Sequence, residues 1–435
     1  MFLDLTKFLA HFPAIKITKE QFAKKFTVMY AKPQSLHDIL NQVPGHKGRL
    51  IIKDTTKDKR WIKREEMIEY FYEIIIRNRK KYLTCFYEAY FAFKDPYTMK
   101  WSNVNLFMKD KESPDGEMVP AISLQKNDAS RRMIRNLFYL ELLDLTQVTN
   151  TVKCHVSFWG ALDNMYNKLQ LEDRFFAPSS IDLFLRDKGT KREERTGIRE
   201  INYNNLFYLL QAYQPKASIF NPYSIKWIMD NVIDVELTKS IGRPGQTMFT
   251  PVLSWGSYMA AFMHSNYKEY VGVDVMPSVC HKVEFLADWY NKHPDTPMKR
   301  KTKIYCQPSE TLLKDKKFQA MYKSHFDVIL VCPPYFDMEV YHEGPQSLEL
   351  YPSYWEATVH ACSKCTRKGG IFAMIANDYK ALDGSHHPLT KDLDSRVRKY
   401  YTPLSIPKYY LQNRTSPLRV NAKDRTERLF LYKLA

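Results

Sequence analysis

Short apolar runs separated by helical patterns dominate the second half of the chain. Val328 to Val331 is a continuous apolar run, which is typical of a strand buried on both faces of a parallel sheet. Similar runs predict further strands, with helical patterns between them, and two late runs predict an antiparallel pair at the sheet edge. The predicted strands and their adjoining segments are 246–262, 270–277, 303–310, 328–331 and 369–377, and the edge pair is 404–410 and 429–434. This alternation predicts a three-layer α/β fold with a mixed, mostly parallel sheet.

Turn residues mark where several of these elements begin. Pro222 is expected at the first position of a helix with Asn221 as its N-cap. The pair Gly369 and Gly370 predicts a turn before the fifth strand.

The first half of the chain shows helical periodicity without a motif that indicates chemistry. Apolar residues recur at helical spacing over 65–93, and a second helix is predicted over 130–144. Residues 100–125 are expected to form a loop with a turn at 113–116. We therefore predict a mainly helical, basic domain over residues 1–215 and an α/β domain over residues 216–435.

Charge narrows the class of partner. The 435-residue chain has 65 Lys and Arg against 48 Asp and Glu, a net charge of +17. This excess favours an anionic partner, with nucleic acid first and an acidic membrane surface second, although lysines also serve solubility alone. The candidate phosphate-binding stretches are 53–64, 131–135 and 188–199.

The apolar segments and the cysteines indicate where in the cell the protein is expected. No apolar run is long enough to span a bilayer, and the first residues lack a signal-peptide layout, so we expect an intracellular protein without a membrane partner. The seven cysteines are odd in number and scattered, which favours free thiols in a reducing compartment. Cys362 and Cys365 are the closest pair, and without a second pair at zinc spacing they predict neighbours on a helix surface rather than a metal site.

The candidate site begins where the apolar run ends. Pro333 and Pro334 cannot continue a central strand because they lack the ladder N–H, so the chain must leave at the strand's carboxyl end. Open α/β sheets bind their ligands at that end. Residues 246–262 have the strand, turn and helix layout of a nucleotide-binding unit, and Asp274 ends the next strand, where a carboxylate can accept hydrogen bonds from ribose hydroxyls.

Cys332-Pro333-Pro334-Tyr335 resembles the Asp/Asn/Ser-Pro-Pro-Tyr motif of amino-methyltransferases, which methylate exocyclic nitrogens of adenine or cytosine from S-adenosylmethionine. The likeness extends to DNA-methylase-like proteins of phages and large DNA viruses through Glu339, Tyr341, Gln346, Ser347 and Tyr351. The resemblance covers residues from about 220 onward. It implies a Rossmann-like class I methyltransferase fold for residues 216–435 and S-adenosylmethionine as the cofactor.

The resemblance also implies a role for each residue of the site. Cys332 and the carbonyl of Pro333 would accept hydrogen bonds from the target amino group. Tyr335, with Phe336 as a second candidate, would stack on a base that has left the duplex or comes from a single strand. The catalytic set is therefore Cys332, Pro333, Pro334 and Tyr335, and the implied cofactor contacts are Phe249, Pro251, Ser254, Gly256, Asp274, Ser309 and Glu310.

Three positions depart from the family pattern. Thr250 replaces an Asp and Ser254 replaces the first Gly of Phe-Asp-Pro-x-x-Gly-x-Gly, while Cys332 replaces Asp, Asn or Ser. A serine fits such a turn only if its φ is negative or its strain is offset elsewhere. Two hypotheses therefore stay open: a working nucleic-acid amino-methyltransferase, and a catalytically decayed relative that acts as a nucleic-acid-binding or structural virion component. A nicotinamide oxidoreductase is disfavoured because no Gly-x-Gly-x-x-Gly follows a strand.

Target recognition, with DNA favoured over RNA, is expected mainly from the N-terminal domain. The segment between residue 377 and the last strands is too short to form a domain of its own. Its basic residues between 380 and 399 can contact phosphates as a loop. Binding of a protein partner is the alternative role for the N-terminal domain.

Overall fold

The computed structural model describes most of the second half of the chain and short segments of the first half. The described residues are 50–53, 83–84, 106–112, 118–124, 137–138, 146–148, 155–156, 199–202, 220, 222–292, 296, 298–335, 339–340, 350–380, 386–406, 409–412 and 426–435. Several predicted features lie wholly or largely outside these residues: the helices over 65–93 and 130–144, the basic stretches 53–64, 131–135 and 188–199, and Asn221 and Phe336.

The secondary structure alternates between strands and helices from residue 222 onward. The strands are β1 (Leu50–Lys53), β2 (Leu106–Glu112), β3 (Met118–Leu124), β4 (Thr146–Val148), β5 (His155–Val156), β6 (Arg199–Asn202), β7 (Thr247–Thr250), β8 (Glu269–Asp274), β9 (Lys301–Cys306), β10 (Phe326–Val331), β11 (Glu339–Val340), β12 (Thr366–Ala376), β13 (Tyr379–Lys380), β14 (His386–His387), β15 (Thr402–Pro403), β16 (Tyr410–Gln412) and β17 (Thr426–Lys433). The α-helices are α1 (Pro222–Ile228), α2 (Asp234–Ile241), α3 (Ser257–Met263), α4 (Pro277–Lys292), α5 (Lys316–Met321), α6 (Leu350–Cys365) and α7 (Leu389–Val397). A π-helical turn (Met229–Ile233) joins α1 to α2, and 3₁₀ turns cover Ser254–Gly256 and Ser309–Leu313.

One large sheet organises the described part of the chain. Seven of its ten strands lie in the order β9-β8-β7-β10-β12-β17-β16. The first five are parallel, and β17 runs antiparallel to both β12 and β16. This mixed, mostly parallel order is that of the Rossmann-like class I methyltransferase fold, so the fold predicted for residues 216–435 is confirmed. The mainly helical N-terminal domain falls largely outside the described residues.

The strand order reverses between β7 and β10. After β7 the chain builds outward to β8 and β9, and it then returns to place β10 on the other side of β7. Such a reversal opens a crevice at the carboxyl ends of the two central strands, because their connections leave in opposite directions. The fold therefore positions a ligand site beside the segments that follow Thr250 and Val331.

Helices cover both faces of the sheet. Val328 and Leu330 of β10 face one hydrophobic cluster, which includes residues of α1 to α4. Ile329 and Val331 face the other cluster, which includes residues of α5 to α7. Every residue of β10 is buried, which explains why the run is apolar without alternation.

The prediction of a loop over 100–125 is wrong for residues 106–112 and 118–124, where β2 and β3 pair antiparallel, while the turn predicted at 113–116 lies outside the described residues. This hairpin extends the large sheet, because β3 pairs in parallel with β16. Local sequence hid the pairing because Pro120 interrupts the strand pattern and the partner strand lies near the other end of the chain. The predicted edge pair is corrected as well, because β17 lies inside the sheet, between β12 and β16. Among the described residues of 404–410, only Tyr410 belongs to a strand, β16, which pairs antiparallel with β17.

The turn predicted at Gly369 and Gly370 is also wrong, because both residues lie within β12. The pairing of β10 with β12 shifts register between Phe326 and Val328, and Gly369 has a φ of 76° that suits glycine. A Cβ on Gly370 would lie 2.8 Å from the carbonyl oxygen of Arg367 and 3.0 Å from that of Asp327, so only glycine fits between these backbones. The glycines therefore form an irregularity within the strand.

The close cysteine pair lies inside the protein rather than on a helix surface. Cys362 and Cys365 are on α6, and both are fully buried in the second hydrophobic cluster as free thiols. Burial raises the pKa of both thiols, that of Cys365 to about 12. Among the described residues, no group of three His, Cys, Asp or Glu side chains is arranged to hold a metal ion.

Candidate functional site

The turn after β7 contains two consecutive residues in the left-handed region. Trp255 has φ 56° and ψ 33°, and Gly256 has φ 75° and ψ 0°. Gly256 adopts this conformation at little cost because it has no Cβ, whereas Trp255 is strained.

A segment from the first half of the chain packs onto this turn and holds Trp255. The Trp255 ring is buried, and the ring of Phe138 lies edge-on to it with centroids 5.9 Å apart. Lys282 of α4 donates a 2.8 Å hydrogen bond to the carbonyl of Leu137, which fixes the segment. A Cβ on Gly256 would lie 3.4 Å from Phe138, so the segment fits closely against the turn. Tertiary contacts therefore offset the backbone strain at Trp255.

The side chains of Phe249 and Thr250 on β7 are buried and contact other core residues. Phe249 stacks on Phe326 with centroids 5.1 Å apart, and Pro251 is buried just after the strand. The hydroxyl of Thr250, at the position where the family has Asp, lies 2.5 Å from the hydroxyl of Tyr270. The cofactor contacts implied for Phe249, Pro251, Ser254 and Gly256 stay predictions.

Asp274 ends β8 at the carboxyl edge of the sheet, as the sequence predicts. One carboxylate oxygen accepts a 3.0 Å hydrogen bond from the backbone N–H of Met276, at the start of the turn into α4. Its carbonyl accepts a 2.9 Å hydrogen bond from the N–H of Gln307, which follows β9. Asp274 and the loop after β9 are therefore joined through their backbones.

Two polar groups on that loop are buried and make no hydrogen bond within the described part of the chain. They are Nε2 of Gln307, a donor, and Oε2 of Glu310, an acceptor. A buried polar atom without a partner costs stability, so native proteins retain few of them, and a water or a bound ligand can supply the missing hydrogen bond. The sequence predicted Glu310 as a contact and missed Gln307, whose only signal was an amide just beyond a strand's carboxyl end.

Ser309, the other residue predicted at this place, faces α6. Its hydroxyl donates to the hydroxyl of Tyr354 at 3.3 Å and lies 3.2 Å from that of Thr358. These contacts join the loop after β9 to α6. A cofactor contact by Ser309 stays a prediction.

The Pro-Pro turn after β10 is fastened to α6. The hydroxyl of Tyr351 donates a 2.7 Å hydrogen bond to the carbonyl of Pro334, and burial raises the pKa of this tyrosine well above its ordinary value. Cys332 is half-buried, and its sulfur lies 3.8 Å from the carbonyl oxygen of Pro333, a weak contact. The carbonyl of Pro334 is thus engaged by a tyrosine, while that of Pro333 meets a thiol.

Tyr335 lies against the ends of β12 and β17. It is only 7% exposed, and its ring lies edge-on to Tyr379 with centroids 5.6 Å apart. Its hydroxyl accepts from the backbone N–H of Asn377 at 3.1 Å and donates to the carboxylate of Glu427 at 3.4 Å. These contacts fix the ring, and the sequence did not indicate the three partners because they lie far along the chain. The stacking role implied for Tyr335 stays a prediction.

The site thus gathers at one edge of the sheet. The turn after β7 and the Pro-Pro turn after β10 leave adjacent parallel strands on the two sides of the switch point. Asp274 and the loop of Gln307 and Glu310 follow the next two strands. A switch-point crevice with an acidic residue at a neighbouring strand end is the usual arrangement of a nucleotide-like cofactor site in open α/β sheets.

Comparisons with known proteins find similarity at the level of solved structures. No family model matches the chain, and no curated protein matches it. The N-methyltransferase NodS of Bradyrhizobium japonicum, in complex with S-adenosyl-L-homocysteine, is 12% identical, covers 49% of this chain and 99% of its own, and has a TM-score of 0.30. A SAM-dependent methyltransferase of Methanosarcina mazei is 10% identical, covers 44% of this chain and 92% of its own, and also has a TM-score of 0.30. The fold class therefore rests on the strand order of this chain itself.

Across the described residues, no helix is long and apolar enough to cross a membrane.

Proposed function

We propose that this chain binds S-adenosylmethionine and transfers its methyl group to an exocyclic amino group of a nucleic-acid base, with DNA favoured over RNA. The observation that carries the proposal is the pair of buried polar groups without partners, Gln307 Nε2 and Glu310 Oε2, beside Asp274 at the carboxyl edge. The resemblance of Cys332 to Tyr335 to the amino-methyltransferase motif supports the choice of reaction.

The residues at this edge fit the cofactor's nucleoside. Adenine presents an amino donor and ring-nitrogen acceptors, so a buried carboxylate oxygen and a buried amide N–H match it in kind. Asp274 lies at the strand end, where a carboxylate can accept hydrogen bonds from ribose hydroxyls. When bound, S-adenosylmethionine supplies an electrophilic methyl group on a sulfonium.

The chain's own task is to present the amino group to that methyl. The lone pair of an exocyclic amino nitrogen is delocalised into the base, which makes the nitrogen a poor nucleophile. Acceptors that hold the amino hydrogens orient the lone pair, and positioning in a dry site supplies much of the rate. The carbonyl of Pro333 is the acceptor that the motif implies. Tyr351 donates a hydrogen bond to the neighbouring carbonyl of Pro334 and thereby fixes the turn. Cys332 provides a second acceptor that is weak as a thiol.

Replacing Glu310 by glutamine is expected to weaken binding of S-adenosylhomocysteine roughly tenfold, since one hydrogen bond to a charged group is worth about 1.5–3 kcal/mol and glutamine keeps part of it. The thermal midpoint of the protein without ligand should stay equal or rise, because a buried charged group has been removed. Titration calorimetry and thermal unfolding measure the two effects.

Glu284→Gln, on the exposed face of α4, is the matched control and should change neither quantity. Wild-type protein without measurable affinity for S-adenosylmethionine or S-adenosylhomocysteine would refute the proposed reaction.

Replacing Cys332 by serine or aspartate is expected to retain or raise the rate of methyl transfer, because both residues accept a hydrogen bond better than a thiol. Incorporation of labelled methyl groups into DNA, single-stranded and double-stranded, measures the rate. Cys306→Ser, an exposed cysteine on β9, controls for general effects of removing a thiol. A Cys332→Ser protein that binds cofactor normally yet has lost activity would exclude the acceptor role.

The alternative is a decayed methyltransferase-like protein that binds nucleic acid or serves as a structural component. Its specific support is Thr250, whose hydroxyl is bonded to Tyr270 at the position where the family has a carboxylate. The same calorimetry separates the two functions, because only the methyltransferase requires cofactor binding.

A further inference from the structure

The open edge of the large sheet next to the candidate cofactor site carries an unusual concentration of positive charge. Among the described strands, β9 pairs only with β8 and ends the sheet. Exposed lysines occupy β9, the loop after it, and α5 with its following turn. We name this set the β9–α5 lysine surface; it consists of Lys301, Lys303, Lys314, Lys316, Lys317 and Lys323.

These lysines share one surface because α5 packs directly against β9. The rings of Tyr305 and Phe318 meet edge-on with centroids 5.2 Å apart, and the hydroxyls of Tyr305 and Tyr322 are 3.2 Å apart. The ammonium of Lys303 lies 5.8 Å from the centre of the Tyr305 ring. The side chain of Tyr305 thus links the lysines of the strand to those of the helix.

The ammonium groups of this surface are not paired with neighbouring acids in the described part of the chain. Glu269 lies opposite Lys301 on β8, and its carboxylate is 3.2 Å from Nε2 of His325. None of the six ammonium groups forms an ion pair with a described residue. The two acids within residues 301–323 are otherwise engaged or buried: Asp315 accepts from the N–H groups of Lys317 and Phe318, and Oε2 of Glu310 is buried. Like charges held close together repel, and an anion placed beside them would relieve that repulsion.

Three basic residues of α7 and its following turn provide the contrast, whereas Lys391, which is exposed on α7, forms no ion pair with a described residue. Arg398 pairs with Asp394 at 2.6 Å, and Lys399 pairs with Glu356 at 2.7 Å. Arg396, which is partly buried, pairs with Asp392 at 3.1 Å. Charges that are already paired within the protein release fewer counterions from a polyanion. The phosphate contacts predicted for these three residues of the segment 380–399 are thus weakened by acids of α6 and α7.

We propose that the β9–α5 lysine surface binds the phosphate backbone of a nucleic acid and leads it to the carboxyl edge of the sheet. Cys306, at the end of β9, lies opposite Asp274 of β8 in the sheet. Lys314 directly follows the 3₁₀ turn that contains Glu310. The surface therefore adjoins the candidate cofactor site. The inference relies on the proposed function for the kind of polyanion, while the charge arrangement stands on its own.

Edge protection and membrane attraction each account for only part of the lysine pattern. Lysines on an edge strand prevent pairing with other chains, which explains Lys301 and Lys303 but not the lysines of α5. Anionic membranes also attract lysines, but peripheral membrane helices add a broad apolar face, whereas Met321 is the large exposed apolar residue of α5. Phosphodiester backbones require only the row of charges.

The test replaces four lysines of the surface by glutamine, K301Q, K303Q, K316Q and K317Q, in the full chain. A matched control removes four lysines that lie outside this surface and outside the segment 380–399: K226Q, K239Q and K292Q, which are paired within the protein, and the exposed K368Q. Both proteins lose the same net charge. Binding to short single-stranded and double-stranded DNA is measured by fluorescence anisotropy between about 50 and 200 mM salt, where the slope counts phosphate contacts.

We expect the surface variant to bind DNA at least tenfold more weakly and to lose about one unit of salt slope for each phosphate contact removed. The control variant should keep most of the wild-type affinity and slope. Equal losses in the two variants, or no measurable DNA binding by the wild type at low salt, would overturn the proposal. Vesicles containing phosphatidylserine form a third arm: loss of vesicle binding with unchanged DNA binding would assign the surface to a membrane.

Calorimetry with S-adenosylhomocysteine separates this inference from the proposed reaction. The surface variant should bind the cofactor as the wild type does, because its lysines are not part of the candidate cofactor site. A wild type that binds DNA through this surface but not the cofactor would leave the surface assigned and refute methyl transfer.

Discussion

Replacing Asp327 by asparagine should lower the free energy of unfolding by about 3–5 kcal/mol, the usual loss when one partner of a buried ion pair is removed. The Asp327 side chain has no solvent exposure, although it lies at the amino end of β10. Arg243 holds it with two hydrogen bonds of 2.9 Å, and Arg367 adds a third of the same length. All these partners are donors, so an asparagine NH₂ would face other N–H groups.

Asp327 also ties three strands together. Its carboxylate accepts from the backbone N–H groups of Gln246 and Thr247 at the start of β7. Arg367 belongs to β12, and Arg243 precedes β7. The loss should therefore appear as a lower midpoint in denaturant with an unchanged slope, measured at neutral pH.

The same carboxylate should make the protein acid-sensitive. Burial alone raises the pKa of Asp327, but the hydrogen bonds and charges of Arg243, Gln246 and Arg367 outweigh it and hold the pKa below its ordinary value. A depressed folded-state pKa contributes stability that is present above the unfolded pKa and is lost as pH falls through the folded pKa. The difference between wild type and Asp327→Asn should thus shrink below about pH 4.

Asp288→Asn is the control for charge removal. Asp288 pairs with Lys292 at 3.1 Å one helical turn away, and both side chains are exposed. Such pairs contribute at most about 1 kcal/mol, so this change should leave stability nearly unaltered. A loss at Asp327 as small as that at Asp288 would show that the two arginines adapt and that the cluster is dispensable.

Replacing Asp274 by alanine should weaken binding of S-adenosylmethionine by about 1.5–3 kcal/mol, or roughly 10- to 150-fold, because charge-assisted hydrogen bonds to the ribose would be lost. The side chain also accepts from the N–H of Met276, so the variant loses some stability as well. Titration calorimetry measures affinity, and thermal unfolding without ligand measures the structural part.

Asp315→Ala separates these two effects. Asp315 caps α5 with hydrogen bonds to two backbone N–H groups, 3.1 Å and 3.0 Å long. Its removal should cost about 1 kcal/mol of stability without lowering cofactor affinity. Equal affinity losses in both variants would mean that Asp274 supports the loop rather than contacting the cofactor, and unchanged affinity in Asp274→Ala would exclude it from the site.

Local sequence determined the strands and turns around the switch point. The fully apolar run of β10 identifies a buried parallel strand, and Pro333 and Pro334 end it because proline cannot donate to a ladder. The predicted turn and helix after β7, and the end of β8 at Asp274, follow equally from periodicity and turn residues. These features depend on which faces of a short segment are buried, and a segment's own pattern records that.

Tertiary structure alone decided which distant groups meet. Nothing near Asp327 indicates that Arg243 and Arg367 will surround it, and nothing near residue 110 indicates that the β2–β3 hairpin will join β16. The two glycines of β12 resemble a turn in the sequence. The structure shows instead that Gly370 is needed because the backbone of β10 passes close to it. The sequence shows lysines throughout the chain, but only the fold distinguishes Lys399, paired with Glu356, from the lysines of β9 and α5. Pairing between segments depends on what lies opposite in space, and one-dimensional periodicity carries no record of that.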